Sequence, residues 1–338
     1  MTSTRTFGRA LAAVSAAAAL AIALTACSSQ GGARNNAAAS GGGDSGTAVT
    51  GGKNYTIAMV THEQAGDTFW DKIRNGAQDA AKAHGIDLKY SNNEQGPEQA
   101  TLVQNAIDSK VDGIAVTLSS ADAVIPAAKK AADAGIPVVA FNQGIDQYQQ
   151  AGAKMYFGSD EDLAGQTVGQ RIAAEGGAGK VLCVIQAQGS VALETRCSGV
   201  KKAYPNTENL QVNGADLPSV QQTIGAKLSQ DKSITHVVTL GAPIALAALQ
   251  SEQDSASTAK VVTFDLNQDA AKAIQDGKIA FSIDQQPYLQ GYMAVEALWL
   301  NLSNGNDLGG GKPVLTGPSI VDRTNIDKIL PYTASNKR

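Results

Sequence analysis

Short β-branched runs alternate with longer amphipathic segments from Tyr55 almost to the end of the chain, and this alternation limits the fold more than any other feature. Repeated strand-helix-strand units give parallel pairing, because two parallel strands need a long crossover and a helix supplies it. The first unit is Tyr55-Thr56-Ile57-Ala58-Met59-Val60 followed by a helix opened by Asp67, a residue suited to capping a first turn. Trp70, Ile73, Ala77 and Ala80 recur at three- and four-residue spacing, and Gly85 after His84 suits the left-handed stop. Strand Ile86 to Tyr90, helix Pro97 to Asp108, strand Gly113 to Thr117, helix Ala121 to Ala134 and strand Ile136 to Phe141 follow. Their strands are continuous apolar runs, as expected where helices cover both faces of a sheet.

A second series opens at Met155-Tyr156-Phe157 and runs through Lys180 to Ile185, Leu210 to Gly214, His236 to Leu240, Lys260 to Phe264 and Ile279 to Ile283. The fold class is therefore α/β, with two doubly wound parallel-sheet lobes. Open α/β sheets bind ligands beyond the carboxyl ends of their strands, so two facing sheets make a cleft.

The first residues answer a different question. Arg5 and Arg9 precede an uncharged apolar run from Ala10 to Leu24, and Leu24-Thr25-Ala26-Cys27 follows. A basic start, a short apolar core and small residues before a cut form an export signal, and the core is short for a bilayer span. The segment resembles the signal and lipobox of bacterial lipoproteins, which implies cleavage before Cys27 and a lipid on that cysteine. From Ser28 to Lys53 the chain is almost wholly Gly, Ser, Ala, Asn and Thr, which cannot bury a core and reads as a tether.

Of three cysteines, Cys183 and Cys197 remain to pair. In an exported protein a disulfide persists, and these two close a short loop between a strand and the next helix. Two buried thiols are the competing state, and the Cα separation decides between them. The chain has three histidines, none near these cysteines, so no metal site is expected. The formal charge is -4 with scattered Lys and Arg, which leaves no basic stripe for nucleic acid.

Residues just after the strands are the candidate site. They are Thr61, His62 and Glu63 after the first, Asn142 and Gln143 after the fourth, Asp265 after Val261-Val262-Thr263-Phe264, and Gln285 and Gln286 after Asp284. Neutral amides and one carboxylate suit hydroxyl groups better than phosphate, although any strand-end polar residue can equally cap a turn. Phe69 and Trp70 stand together at the start of the first helix in a chain that is only 5% aromatic. A ring there offers the C-H face of a sugar a platform, while Trp70 also falls on the helix's apolar stripe. Arg196 opens another helix, where a guanidinium fork suits paired oxygens or a salt bridge with an acid such as Glu194.

Phe69-Trp70 with Asn75-Gly76-Ala77, Val111-Asp112-Gly113-Ile114, Ala134-Gly135-Ile136-Pro137-Val138-Val139, Val262-Thr263-Phe264-Asp265 and Asp276-Gly277-Lys278 resemble the ribose- and galactose-type periplasmic binding proteins of ABC importers. The resemblance spans Tyr55 to Tyr332. It implies the type I fold, two Rossmann-like lobes joined by three crossovers near Gly158-Ser159, Asp284-Gln285 and Ile320-Val321. The expected parts are a signal peptide (1–26), a lipidated tether (27–53), a first lobe (54–158 plus 285–320) and a second lobe (159–284 plus 321–335). The matching motifs place ligand contacts on Phe69, Trp70, Asn142, Arg196, Asp265 and Gln285, with Leu217 a weaker match. Ribose binders of this type carry Asp-Arg where this chain has Asn142-Gln143, and Asn-Asp where it has Gly241-Ala242, so a different pentose, a hexose, inositol, a linear polyol or a furanosyl signal is open.

The expected function is capture of a small neutral sugar or polyol by lobe closure and delivery to an ABC permease, outside the cytoplasm and lipid-anchored to the membrane's outer face. The protein is expected to act as a monomer with no cofactor and no nucleic acid. A sensory receptor on the same fold is the alternative. An enzyme is not expected: there is no Gly-x-Ser-x-Gly or His-Glu-x-x-His, and Gly309-Gly310-Gly311-Lys312 is followed by Pro313. His62 beside Glu63 is too little for acid-base catalysis.

Overall fold

The computed structural model describes residues 54–64 and 66–338. The expected signal peptide, Cys27 and tether lie outside the described residues. The elements are β1 (Thr56–Thr61), α1 (Phe69–His84), β2 (Asp87–Asn92), α2 (Gly96–Asp108), β3 (Gly113–Val116), α3 (Ala121–Asp133), β4 (Val138–Asn142), β5 (Met155–Gly158), α4 (Glu161–Ala174), β6 (Lys180–Ile185) and α5 (Val191–Ala203). They continue as β7 (Thr207–Gln211), α6 (Leu217–Gln230), β8 (Ile234–Thr239), α7 (Ala242–Asp254), β9 (Lys260–Phe264), α8 (Gln268–Gln275), β10 (Ile279–Asp284), α9 (Pro287–Asn304), β11 (Val314–Leu315), β12 (Ser319–Val321) and α10 (Ile326–Thr333). None of the described helices is long and apolar enough to cross a membrane.

Two six-stranded sheets result. The first has the order β2-β1-β3-β4-β5-β11 and is parallel throughout. The second has the order β7-β6-β8-β9-β10-β12, with only β12 antiparallel. The five leading strands therefore share one order, and β6 to β10 repeat the places of β1 to β5. Both faces of each sheet are covered, which is why β4 is buried at every position. In the first lobe α1 and α9 pack Trp70, Ile73, Ala77, Val295 and Leu298 on one face, and α2 and α3 pack Val103, Val124 and Ala128 on the other. In the second, α4 and α5 bring Val168, Ile172 and Val200 to one face, and α6, α7, α8 and α10 line the other with Ile224, Ala245, Ile274 and Ile326.

Glycine sets the closest helix contacts in both lobes. A Cβ on Gly76 would lie 2.0 Å from the Tyr288 carbonyl oxygen, and one on Gly291 would lie 2.0 Å from that of Ile73, so α1 and α9 touch backbone to backbone. In the second lobe a Cβ on Gly165 would lie 2.1 Å from the Arg196 carbonyl oxygen, and one on Gly199 would lie 2.4 Å from that of Asp162.

Four expectations need correction. Thr68, not Asp67, is the N-cap of α1, because the chain turns one residue later; the Asp67 carboxylate still accepts a hydrogen bond from the Phe69 amide at 3.0 Å. β5 pairs with β4, so Met155-Tyr156-Phe157 continues the first sheet instead of opening the second. β7 lies at 207–211 and not at 210–214, an edge strand whose half-exposed, polar sequence carries little apolar signal. The third crossover comes between Leu315 and Ser319, since Ser319 and Ile320 already pair with β10.

The chain after α10 returns to the first lobe. Lys337 Nζ bonds Asp79 Oδ2 of α1 at 3.0 Å and lies over the Tyr288 ring of α9. Arg338 reaches Gln286 Oε1 at 2.8 Å and Asp284 Oδ2 at 2.7 Å, where the chain crosses from β10 to α9.

Candidate ligand-binding site

Asn142 ends β4 and Asp265 follows β9, the equivalent strand of the second sheet, and both adopt the left-handed region, with φ of 64° and 61°. Backbone in this region costs energy for residues other than glycine and is characteristic of functional sites. Here the turn directs each side chain off the end of its strand. Gln285, which follows β10, joins them: its Nε2 donates to Asp265 Oδ1 at 3.0 Å, and its Oε1 accepts from Asn142 Nδ2 at 3.4 Å. Gln290 of α9 completes the group, accepting from Asn142 Nδ2 at 3.0 Å and donating to Gln285 Oε1 at 3.1 Å. The first sheet is thus tied to the second through amides and one carboxylate.

Arg196 is 5% exposed, and its guanidinium lies over the Phe264 ring. Its Nε donates to Glu161 Oε2 at 2.5 Å and its Nη2 to Glu161 Oε1 at 3.2 Å, so of the acids open to it the salt-bridge partner is Glu161, distant in sequence, and not Glu194. Nη1 points to the Leu240 carbonyl at 3.4 Å and to Asp265 Oδ2 at 3.9 Å. Burial, together with the negative charge of Asp284 and Glu161, pushes the Asp265 carboxyl up to about 7, against the pull of Arg196 and the hydrogen bonds from Gln285. Cys183 of β6 and Cys197 of α5 are bridged, with Cα atoms 5.8 Å apart. The bridge fastens the residue next to Arg196 to a central strand.

On the first lobe His62 stands edge-on to Trp70 with ring centroids 4.7 Å apart, and its Nδ1 shares a hydrogen bond of 2.8 Å with Thr117 Oγ1. Burial holds its imidazole down at about 3, so it is neutral at physiological pH. Phe69 meets Trp70 edge to face at 5.5 Å. Trp70 is 4% exposed and belongs to the core packed by α1, whereas Phe69 is half-buried.

Not every expected residue joins this group. Glu63 is spent on Arg74 and Tyr90, at 3.1 Å and 2.6 Å, and braces the loop to α1 and β2. Asp67 is exposed and accepts from the Phe69 amide just ahead of α1, Gln143 holds Leu118 through its backbone, and Leu217 is 41% exposed at the start of α6. Three residues escaped the sequence reading. Glu161 sits at the first position of α4, where nothing but its distance in space from Arg196 marks it. Gln290 is one turn inside α9. Lys72 of α1 is 3% exposed without an ion pair among the described residues, and it feels the charges of Asp265 and Asp284; burial lowers its ammonium. Two residues after Trp70, it stands off the stripe of Trp70, Ile73 and Ala77, so the spacing gives no signal for it.

The described residues contain no cluster of three His, Cys, Asp or Glu that would hold a metal ion. Arg196 is paired with Glu161 and Arg338 with Asp284, while Lys72 is buried with only the longer-range charges of Asp265 and Asp284 to offset it.

Residues 57–307 match the family model described as periplasmic binding protein domain. A solved carbohydrate transporter from Acidothermus cellulolyticus in complex with myo-inositol is 52% identical, with a TM-score of 0.81, covering 85% of this chain and 100% of its own. The ribose import binding protein of Salmonella typhimurium is 29% identical over 71% of this chain and 82% of its own length. The xylose/arabinose-binding protein of Sulfolobus acidocaldarius is 26% identical over 82% of this chain and 73% of its own length. Two parallel-sheet lobes of one strand order, polar side chains gathered at the strand ends and a family match over most of the chain agree: the protein belongs to the periplasmic binding protein family.

Proposed function

We propose that this protein is an extracytoplasmic binding lipoprotein that closes on a neutral cyclic polyol, of the myo-inositol kind, and delivers it to an ABC permease. The observation that carries the reading is the bonded series Asn142, Gln285 and Asp265, which places two amides and a carboxylate from both sheets at one point. Such groups exchange hydrogen bonds with hydroxyls, and their desolvation makes an unmatched hydroxyl costly. The 52% identity to a protein solved with myo-inositol supports a carbocyclic polyol over a pentose.

In this reading Arg196 supplies the guanidinium, His62 a neutral imidazole, and Phe69, backed by Trp70, the apolar ring for the C-H face. The moving bodies are residues 54–158 with 285–315 and residues 159–284 with 319–335, and the three crossovers bend as ligand contacts favour the closed state. Cys27 carries the lipid, and residues 27–53 give the lobes reach to the permease. Titration calorimetry with myo-inositol, ribose, xylose and arabinose tests the proposal. Myo-inositol is expected to bind the most tightly and to raise the melting temperature. A protein that binds none of the four, or prefers a pentose, is not the one proposed.

A further inference from the structure

Gln186 is a residue that no part of the reading above uses. It follows β6 directly, the place that His62 holds after β1 in the other lobe. Across the sheet, the strand ends β6, β8 and β9 are consecutive, so Gln186, Leu240-Gly241 and Asp265 stand in one row. Arg196 Nη1, directed at the Leu240 carbonyl, lies along the same row.

Two glycines make room for this side chain. A Cβ on Gly241 would lie 3.1 Å from Gln186 Nε2, and one on Gly214 would lie 2.9 Å from Gln186 Cβ. Gly241 has φ of -171°, an extended conformation open to any residue, so space and not backbone favours glycine there. The amide they accommodate is incompletely bonded: Gln186 Oε1 is buried without a hydrogen-bond partner. Leaving such an oxygen unmatched is unfavourable, and a donor that reaches it is favoured. The other amide oxygen in that condition, Gln99 Oε1, lies behind Thr117 on a side chain with 0% exposure. Gln186 is only half-buried, at the mouth of a strand end.

We infer that Gln186 is a specificity-determining residue of the second lobe, whose Oε1 accepts a hydrogen bond from one ring hydroxyl of the polyol. The assignment rests on the polyol reading and deepens it. Gln186 and His62, at matching strand ends, then address hydroxyls from the two sides of the cleft, while Asp265 and Arg196 hold those between.

The test compares wild type, Gln186→Met and Gly241→Ala by calorimetry against myo-inositol and a set of monodeoxy-inositols, with melting temperatures of the ligand-free proteins as the folding control. Methionine keeps the length and removes both polar atoms. Gly241→Ala crowds Nε2 without altering the residue itself, and serves if Gln186→Met folds poorly. For myo-inositol each variant is expected to bind about 10-fold more weakly or worse. For the one deoxy-inositol that lacks the hydroxyl facing Gln186, variant and wild type are expected to bind alike. Equal loss for every ligand, or no loss, overturns the assignment while leaving the polyol reading intact. A wild-type protein that binds no member of the set overturns the polyol reading, and the assignment with it.

Discussion

Arg196 Nη1 stops 3.9 Å short of Asp265 Oδ2, because its Nε and Nη2 are held in a fork by Glu161. The guanidinium is neutralised by one carboxylate and only leans toward the other. Burial, with the neighbouring charges of Asp284 and Glu161, therefore pushes the Asp265 carboxyl up to about 7, and Arg196 at that distance offsets it only in part.

Removing the holder is expected to cost more than removing a surface ion pair. Glu161→Ala leaves a guanidinium at 6% side-chain exposure without its main partner, and loss of one member of a buried pair costs about 3–5 kcal/mol. Urea unfolding reads the loss; a change below about 1 kcal/mol, the surface value, contradicts the assignment.

Hydroxyls that donate to Asp265 favour its ionised form, so ligand binding near pH 7 is expected to release protons. Calorimetry in buffers of different ionisation enthalpy measures the release. Asp265→Asn abolishes it and weakens binding by roughly 10- to 100-fold.

The stability of the ligand-free protein has two opposing pH terms. His62 titrates at about 3 instead of 6.5, so the unfolded chain binds more protons between those values and His62 makes stability rise with pH. Asp265 titrates at about 7 instead of 3.8, so the folded chain binds more protons there and Asp265 makes stability fall with rising pH. Relative to wild type, Asp265→Asn is expected to gain stability with pH more steeply from 3.8 to 6.5, and His62→Gln less steeply, in chemical denaturation across that range.

The two adjacent rings have separable roles. Trp70→Ala empties a core position at 4% exposure and is expected to cost about 3–5 kcal/mol of stability. Phe69→Ala, at a half-buried position, is expected to weaken polyol binding while costing less stability. Melting curves and calorimetry on both variants decide; equal destabilisation contradicts the division.

Gly165→Ala drives a methyl toward the Arg196 carbonyl, 2.1 Å from where a Cβ would sit. Helices α4 and α5 must part, at about 1–3 kcal/mol for overpacking, and the Glu161 fork loosens with them. Both stability and ligand affinity are expected to fall, in contrast to an exposed substitution on α4 such as Gln170→Ala.

How far the sequence foretold this follows from where information sits along a chain. Buried strands such as Val138–Asn142 and Lys260–Phe264 are continuous apolar runs and were readable, while β7, an edge strand written Thr-Glu-Asn-Leu-Gln, was displaced. Asn142, Asp265 and Gln285 were found because a strand end is a local feature. Glu161 and Gln290 were not, because their meaning comes from contacts with Arg196 and Asn142, which only the folded chain brings near, and Gln186, although it too follows a strand, is set apart only by its unpartnered Oε1 in the folded chain. Glu63 was a polar strand-end residue like the others, and only the nearness of Arg74 and Tyr90 shows that it braces a loop.

The return of the chain after α10 has a mechanical corollary. That helix packs on α8 in one half, while Lys337 fastens to Asp79 in the other, and Arg338 fastens to Asp284 and Gln286 at the join. In the closure proposed above, this short strip would act like the stay on a casement window, holding the halves until both of its catches slip.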